Sequence, residues 1–67
     1  MPHVIITLVK GRTPEQKRRM AERITEAISE EGNVSKDRVM VAFVDIDAES
    51  YARGGVMISD SMKVAKG

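Results

Sequence analysis

The sequence has no cysteine and no tryptophan, one phenylalanine, one tyrosine and a single histidine, His3. Without cysteine, disulfide staples, thiolate nucleophiles and the common Cys/His zinc sites are excluded. His3 as a metal ligand lacks a second histidine or any thiolate to work with. At 3% aromatic residues, the chain offers no row of stacking platforms for nucleobases. An excess of one charge is missing too: 11 Lys+Arg against 10 Asp+Glu leave a formal net charge of +1. That balance gives no electrostatic footprint for nucleic acid or for an anionic membrane. No apolar run approaches a membrane span, and Met1-Pro2-His3-Val4 lacks the basic start and small-residue cleavage site of a secretory signal. A soluble, cytoplasmic protein that binds neither nucleic acid nor membrane is the expectation.

Length is also scarce. The 67 residues suffice for one domain, 1–67, and area scaling gives about 4,200 Å² exposed when folded against about 10,700 Å² unfolded. Only about 60% of the surface is then buried, and chains of this size usually rely on disulfides, a metal or partner subunits. Composition removes the first two. Self-association is left.

Pro2 to Val9 reads PHVIITLV, with Val4, Ile6 and Leu8 on one face and His3, Ile5, Thr7 and Val9 on the other. Both faces are largely apolar, the pattern of a strand covered on both sides. After Lys10-Gly11-Arg12, the run Thr13-Pro14-Glu15-Gln16 signals a helix start, with Thr13 as cap, Pro14 at the first position and Gln16 completing a capping box. Met20, Ala21, Ile24, Ala27 and Ile28 then form one apolar stripe, and Gly32 followed by Asn33 ends the helix. Val39 to Val44 is a second two-sided strand, so the chain predicts a βαβ unit with parallel strands and a right-handed crossover. Asp45 to Ser50 reads as a polar connection. Tyr51-Ala52-Arg53-Gly54-Gly55 turns into a short hairpin closed by Val56-Met57-Ile58, and Ser59 to Gly67 reads as a turn and tail. One helix covers one face of a two-stranded sheet; a copy of the same sheet is the simplest cover for the other.

Chemistry enters at the N-terminus. Methionine aminopeptidase generally removes Met1 ahead of a residue as small as proline, which leaves Pro2 as a terminal secondary amine. An α-amino group titrates near about 8, and desolvation or a nearby cation lowers that value toward neutrality. Such a base is suited to moving a proton on and off carbon. Arg12, at the end of the first strand, offers a bidentate fork for a carboxylate. Each feature alone also has a plain reading, as a common second residue and a solvated loop arginine.

Taken together, the N-terminal proline, the strand, Gly11-Arg12, the helix start Thr13-Pro14-Glu15-Gln16-Lys17, Thr25-Glu26-Ala27-Ile28 and Gly54-Gly55 resemble the 4-oxalocrotonate tautomerase family over Pro2 to about Ile58. The resemblance implies a βαβ subunit assembled into homohexamers, as trimers of dimers, and cofactor-free proton transfer on small enol and keto acids. It implies Pro2 as general base, Arg12 as the ligand of the substrate's distal carboxylate, and Val9 and Tyr51 as apolar walls, the family usually having phenylalanine at the latter position. Where the family carries a second-strand arginine beside the substrate carbonyl, this chain has Met40. Arg53, in the hairpin, is the candidate replacement; Arg38, two residues before Met40 on the same strand face, is read as a surface residue. His3 replaces the family's first wall residue and is read as a satisfied side chain.

The expected function is therefore tautomerisation of a 2-hydroxy-dienoate or 2-keto acid, with a monoacid favoured by the loss at Met40. Hydration of a 3-haloacrylate or decarboxylation of a semialdehyde on the same scaffold is the alternative, with Glu49 or Asp45 activating water. A non-catalytic homo-oligomeric binding protein is the third. Retained Met1 would make Pro2 an amide without basicity, which separates the third reading from the first two.

Overall fold

The computed structural model describes residues 1–61. Strand β1, His3–Val9, leads into helix α1, Pro14–Gly32, and strand β2, Met40–Ile46, returns parallel to β1. A short hairpin of β3, Ala52–Arg53, and β4, Val56–Met57, follows, and residues 58–61 turn helical, where Ile58 was expected to close the hairpin and Ser59 to begin a turn. The expected βαβ order and hairpin are thus present. The last part of the expected C-terminal tail, residues 62–67, lies outside the described residues.

Helix α1 begins as its sequence dictates. The Thr13 hydroxyl accepts from the Gln16 amide at 3.1 Å, and the Gln16 side chain accepts from the Thr13 amide at 2.9 Å. Two donors that a helix start leaves unpaired are satisfied reciprocally. The C-terminus differs from the expectation by one residue. Gly32 remains helical, and Asn33 takes the left-handed cap at φ 53°, since asparagine tolerates that region better than other side chains. The Ser29 carbonyl accepts from both Asn33 and Val34 amides, so orphan groups of the last turn are paired.

Strand β2 is shifted from its expected Val39–Val44. Residues Lys36–Arg38 form a 3₁₀ turn, with the Arg38 amide on Ser35 and the Val39 amide on Lys36, which delays the strand to Met40. The strand then runs through Asp45 and Ile46, because the ladder with β1 continues to Val9↔Ile46. Asp45 is a strand residue rather than part of a polar connection. Its carboxylate meets Lys17 Nζ of α1 at 2.5 Å, which marks the Asp45 side of the sheet as the helix-covered side.

On that side the register groups Val4, Ile6, Leu8, Val41 and Phe43 with Asp45, and these five and the α1 stripe of Met20, Ala21, Ile24 and Ile28 are all half-buried. Ala27, expected in the stripe, is exposed; a sheet two strands wide covers less than the stripe's full width. The opposite side carries Ile5, Met40 and Val44, which are 63%, 47% and 44% exposed. Among the described residues not one is fully buried. An isolated protomer has half a core. No described helix is long and apolar enough to cross a membrane.

Candidate active site

The residues singled out by sequence gather at two ends of the sheet. At the first, Pro2 is half-buried at the mouth of β1, and its carbonyl accepts from the Met40 amide at 2.9 Å. His3 pairs with Met40 in the register, so the two side chains stand side by side on the open face. Met1, ahead of Pro2, is 90% exposed, accessible to an aminopeptidase. Arg38 lies in the 3₁₀ turn and is exposed. The expectation that it shares a strand face with Met40 is corrected: the i→i+3 bonds of that turn take it off the strand, whose two-residue alternation no longer applies.

At the other end, β1 closes with Val9 opposite Ile46, and the Lys10 amide donates to Ile46 at 2.9 Å. Gly11 takes φ +138°, and an added Cβ would meet nothing within 4 Å. Backbone conformation, rather than crowding, explains glycine there. The turn lets Arg12 fold back so that Nη1 donates to the Val9 carbonyl at 3.1 Å, leaving the other guanidinium N–H groups for a ligand. Lys10 pairs with Asp47 at 3.0 Å; this hydrogen bond, reinforced by Asp47's charge, holds the Lys10 ammonium above its ordinary 10.5. The pair ties the end of β1 to the start of the 3₁₀ turn Ala48–Ser50.

Tyr51 follows that turn, is exposed, and its carbonyl accepts from the Ile58 amide at 2.8 Å. Gly54 and Gly55 take φ +60° and +83°, both central positions of the two-residue hairpin requiring positive φ. The turn sets Arg53 opposite Val56 on the exposed hairpin. Glu49 is exposed in the 3₁₀ turn, whereas Asp45 is held by Lys17.

The two ends are far apart. Seven residue steps at 3.3 Å place Pro2 roughly 23 Å from Val9, whose carbonyl anchors Arg12. A six-carbon diacid is less than half that long, so one chain does not bring Pro2 and Arg12 to the same small molecule. Among the described residues no group of three or more His, Cys, Asp or Glu is placed to hold a metal.

Sequence reasoning passed over two side chains beside Arg12. Arg19 and Arg23 of α1 line an open groove together with Arg12, Gln16 and Met20. Part of the signal was present in the spacing: positions 16, 19 and 23 follow the helical three-four step, whereas Arg12 precedes the Thr13 cap and joins them through the turn at Gly11.

The family model described as tautomerase enzyme matches residues 2–61. The 2-hydroxymuconate tautomerase of Bacillus subtilis (strain 168) is 37% identical over 60 residues, covering 90% of this chain and 97% of the relative. A probable tautomerase of Lactococcus lactis is 39% identical over 57 residues, covering 85% and 93%. Among solved structures, a 4-oxalocrotonate tautomerase isozyme from Methylibium petroleiphilum superposes with a TM-score of 0.85 at 30% identity, covering 98% of this chain and all of that one. With parallel strands, crossover helix and terminal hairpin in the same order, this chain belongs to the tautomerase enzyme family.

Proposed function

We propose that this protein is a cofactor-independent tautomerase of small 2-hydroxy-dienoates or 2-keto acids, active in the cytoplasm as a homo-oligomer, a homohexamer built as a trimer of dimers. Once Met1 is removed, the Pro2 nitrogen takes a proton from the enol hydroxyl or an allylic carbon and returns it to carbon, the amine cycling between neutral and protonated forms. Arg12 binds a substrate carboxylate through its free fork. Because Pro2 and Arg12 lie at opposite ends of β1, each site takes its proline from one protomer and its arginine from another. Val9 and Tyr51 wall the site and lower its polarity, and Arg53, on the hairpin, supplies the cation that Met40 does not. Arg38 stays with the solvent.

The observation that carries this reading is the setting of Pro2: half-buried, tethered by its carbonyl to Met40, with its nitrogen at the chain terminus after Met1 is lost. The named activity of the Bacillus subtilis relative supports the substrate class. Unless Arg53 makes good the charge absent at Met40, the missing electrostatic partner costs about 10²-fold or more in rate and favours a monoacid over a diacid. Hydration loses one candidate for activating water, as the Asp45 carboxylate is engaged by Lys17.

The test is ketonisation of phenylenolpyruvate and of 2-hydroxymuconate by protein whose intact mass shows Met1 gone. Pro2→Ala is expected to lower turnover by roughly 10²- to 10⁴-fold with the assembly intact. Normal activity in that variant would reject the terminal secondary amine as base.

A further inference from the structure

We infer that Arg12, Arg19 and Arg23 form an anion-binding groove on α1 that takes a multiply charged phosphate-class group. The three guanidinium-bearing side chains line one open cavity of about 360 Å³ with Gln16 and Met20. Among the described residues, the ion pairs are Lys10 with Asp47 and Lys17 with Asp45. None engages the three arginines. Arg19 and Arg23 are one helical turn apart, about 6 Å along the axis, close enough for both to contact a single two-centred anion.

The placement of charge along α1 points the same way. Lys17, Arg18, Arg19 and Arg23 outnumber Glu15 and Glu22 in its first half, whereas its second half carries Glu26, Glu30 and Glu31 and the last turn has no basic residue. The helix dipole favours the reverse, with acids near the N-terminus and bases near the C-terminus. Arg19 and Arg23 are also a like-charged pair at i,i+4, which destabilises a helix. Glu15 in the first turn satisfies the dipole locally, yet the net charge of the first half stays positive, and departures from local rules are expected where binding requires them. The potential of the N-terminal peptide units adds to that of the arginines. Overall charge is near neutral, so the field is local and suits a compact anion rather than a polynucleotide.

The groove goes beyond the proposed reaction and shares only Arg12 with it. Its anion has two possible sources, a free phosphate compound or a phosphoryl group carried by the substrate. Inorganic pyrophosphate is the probe. Isothermal titration at low ionic strength into the assembled protein is expected to show saturable binding, weakened roughly tenfold or more in Arg19→Gln/Arg23→Gln and unchanged in Arg18→Gln, which lies outside the groove. No saturable heat, equal binding by the double variant, or a loss in Arg18→Gln as large as in the pair would each overturn the inference. Circular dichroism melting of the double variant is expected close to the parent temperature, because exposed helix pairs of either sign are worth only about 0.2–0.5 kcal/mol each, which separates lost binding from lost folding. Turnover is not needed for this readout, so failure of the proposed reaction and failure of the groove are distinct results. Because Arg12 is shared with the proposed carboxylate site, pyrophosphate raises KM in ketonisation assays in either case; an accompanying change in kcat assigns the groove to a free effector, and a KM effect alone assigns it to a group that binds in the substrate's place.

Discussion

Ile5 is the residue on which the half-finished core can be tested most directly. It lies at the middle of β1 on the face away from α1, opposite Ala42, and is 63% exposed. Full burial of an isoleucine side chain is worth about 1.5–3 kcal/mol, so covering the exposed part is worth about 1–2 kcal/mol per protomer. Two protomers that cover each other's Ile5 gain about 2–4 kcal/mol from this residue alone. Ile5→Ala removes most of that apolar surface and is expected to weaken association of such a pair roughly 10- to 100-fold. Ile5→Asp adds a carboxylate that must be desolvated on assembly and is expected to leave monomers or unfolded chain at micromolar concentration. Size-exclusion chromatography with light scattering reads the mass, and circular dichroism reads the coupled loss of fold. An Ile5→Asp protein with unchanged mass and melting temperature would refute the claim that this face is buried by assembly.

Other outcomes follow from individual contacts. Thr13→Ala removes one half of the reciprocal cap with Gln16 and is expected to cost about 1 kcal/mol, read as a lower melting temperature with turnover per folded site unchanged. Gly11→Ala forces a side chain onto a backbone at φ +138°, expected to cost about 1–3 kcal/mol and to raise KM by displacing Arg12 from Val9. Met40→Arg restores a cation beside Pro2 and is expected to raise the ratio of 2-hydroxymuconate to phenylenolpyruvate turnover by about 10²-fold; a ratio that does not move would place the missing cation's work elsewhere, with Arg53 the next substitution.

The architecture was legible because its signals are local. A Thr-Pro-Glu-Gln start specifies its own hydrogen bonds, two apolar β-branched runs specify strands, and Gly54-Gly55 specifies a hairpin turn. What sequence misread depends on contacts between elements. The length of β2 is set by the ladder with β1, which carries it through Asp45 to Ile46. The pairing of Asp45 with Lys17 spans 28 positions and follows from the helix crossing. Arg38 looked like a strand residue because alternation was continued backward from Met40, through a turn whose hydrogen bonds are 3₁₀. For the site, Pro2 and Arg12 were visible as residue types, but their separation along β1 was not weighed, because a motif reads order along the chain and says nothing of reach.

That separation has a genetic consequence. If each reacting centre draws its base from one polypeptide and its carboxylate ligand from another, the unit of inheritance and the unit of catalysis differ. A lesion at Pro2 and a lesion at Arg12 in two different alleles would then complement, since a mixed assembly contains some centres with both residues intact. After gene duplication, each copy is free to lose the end that the other retains. Two diverging genes then become obligate partners without either having gained a contact.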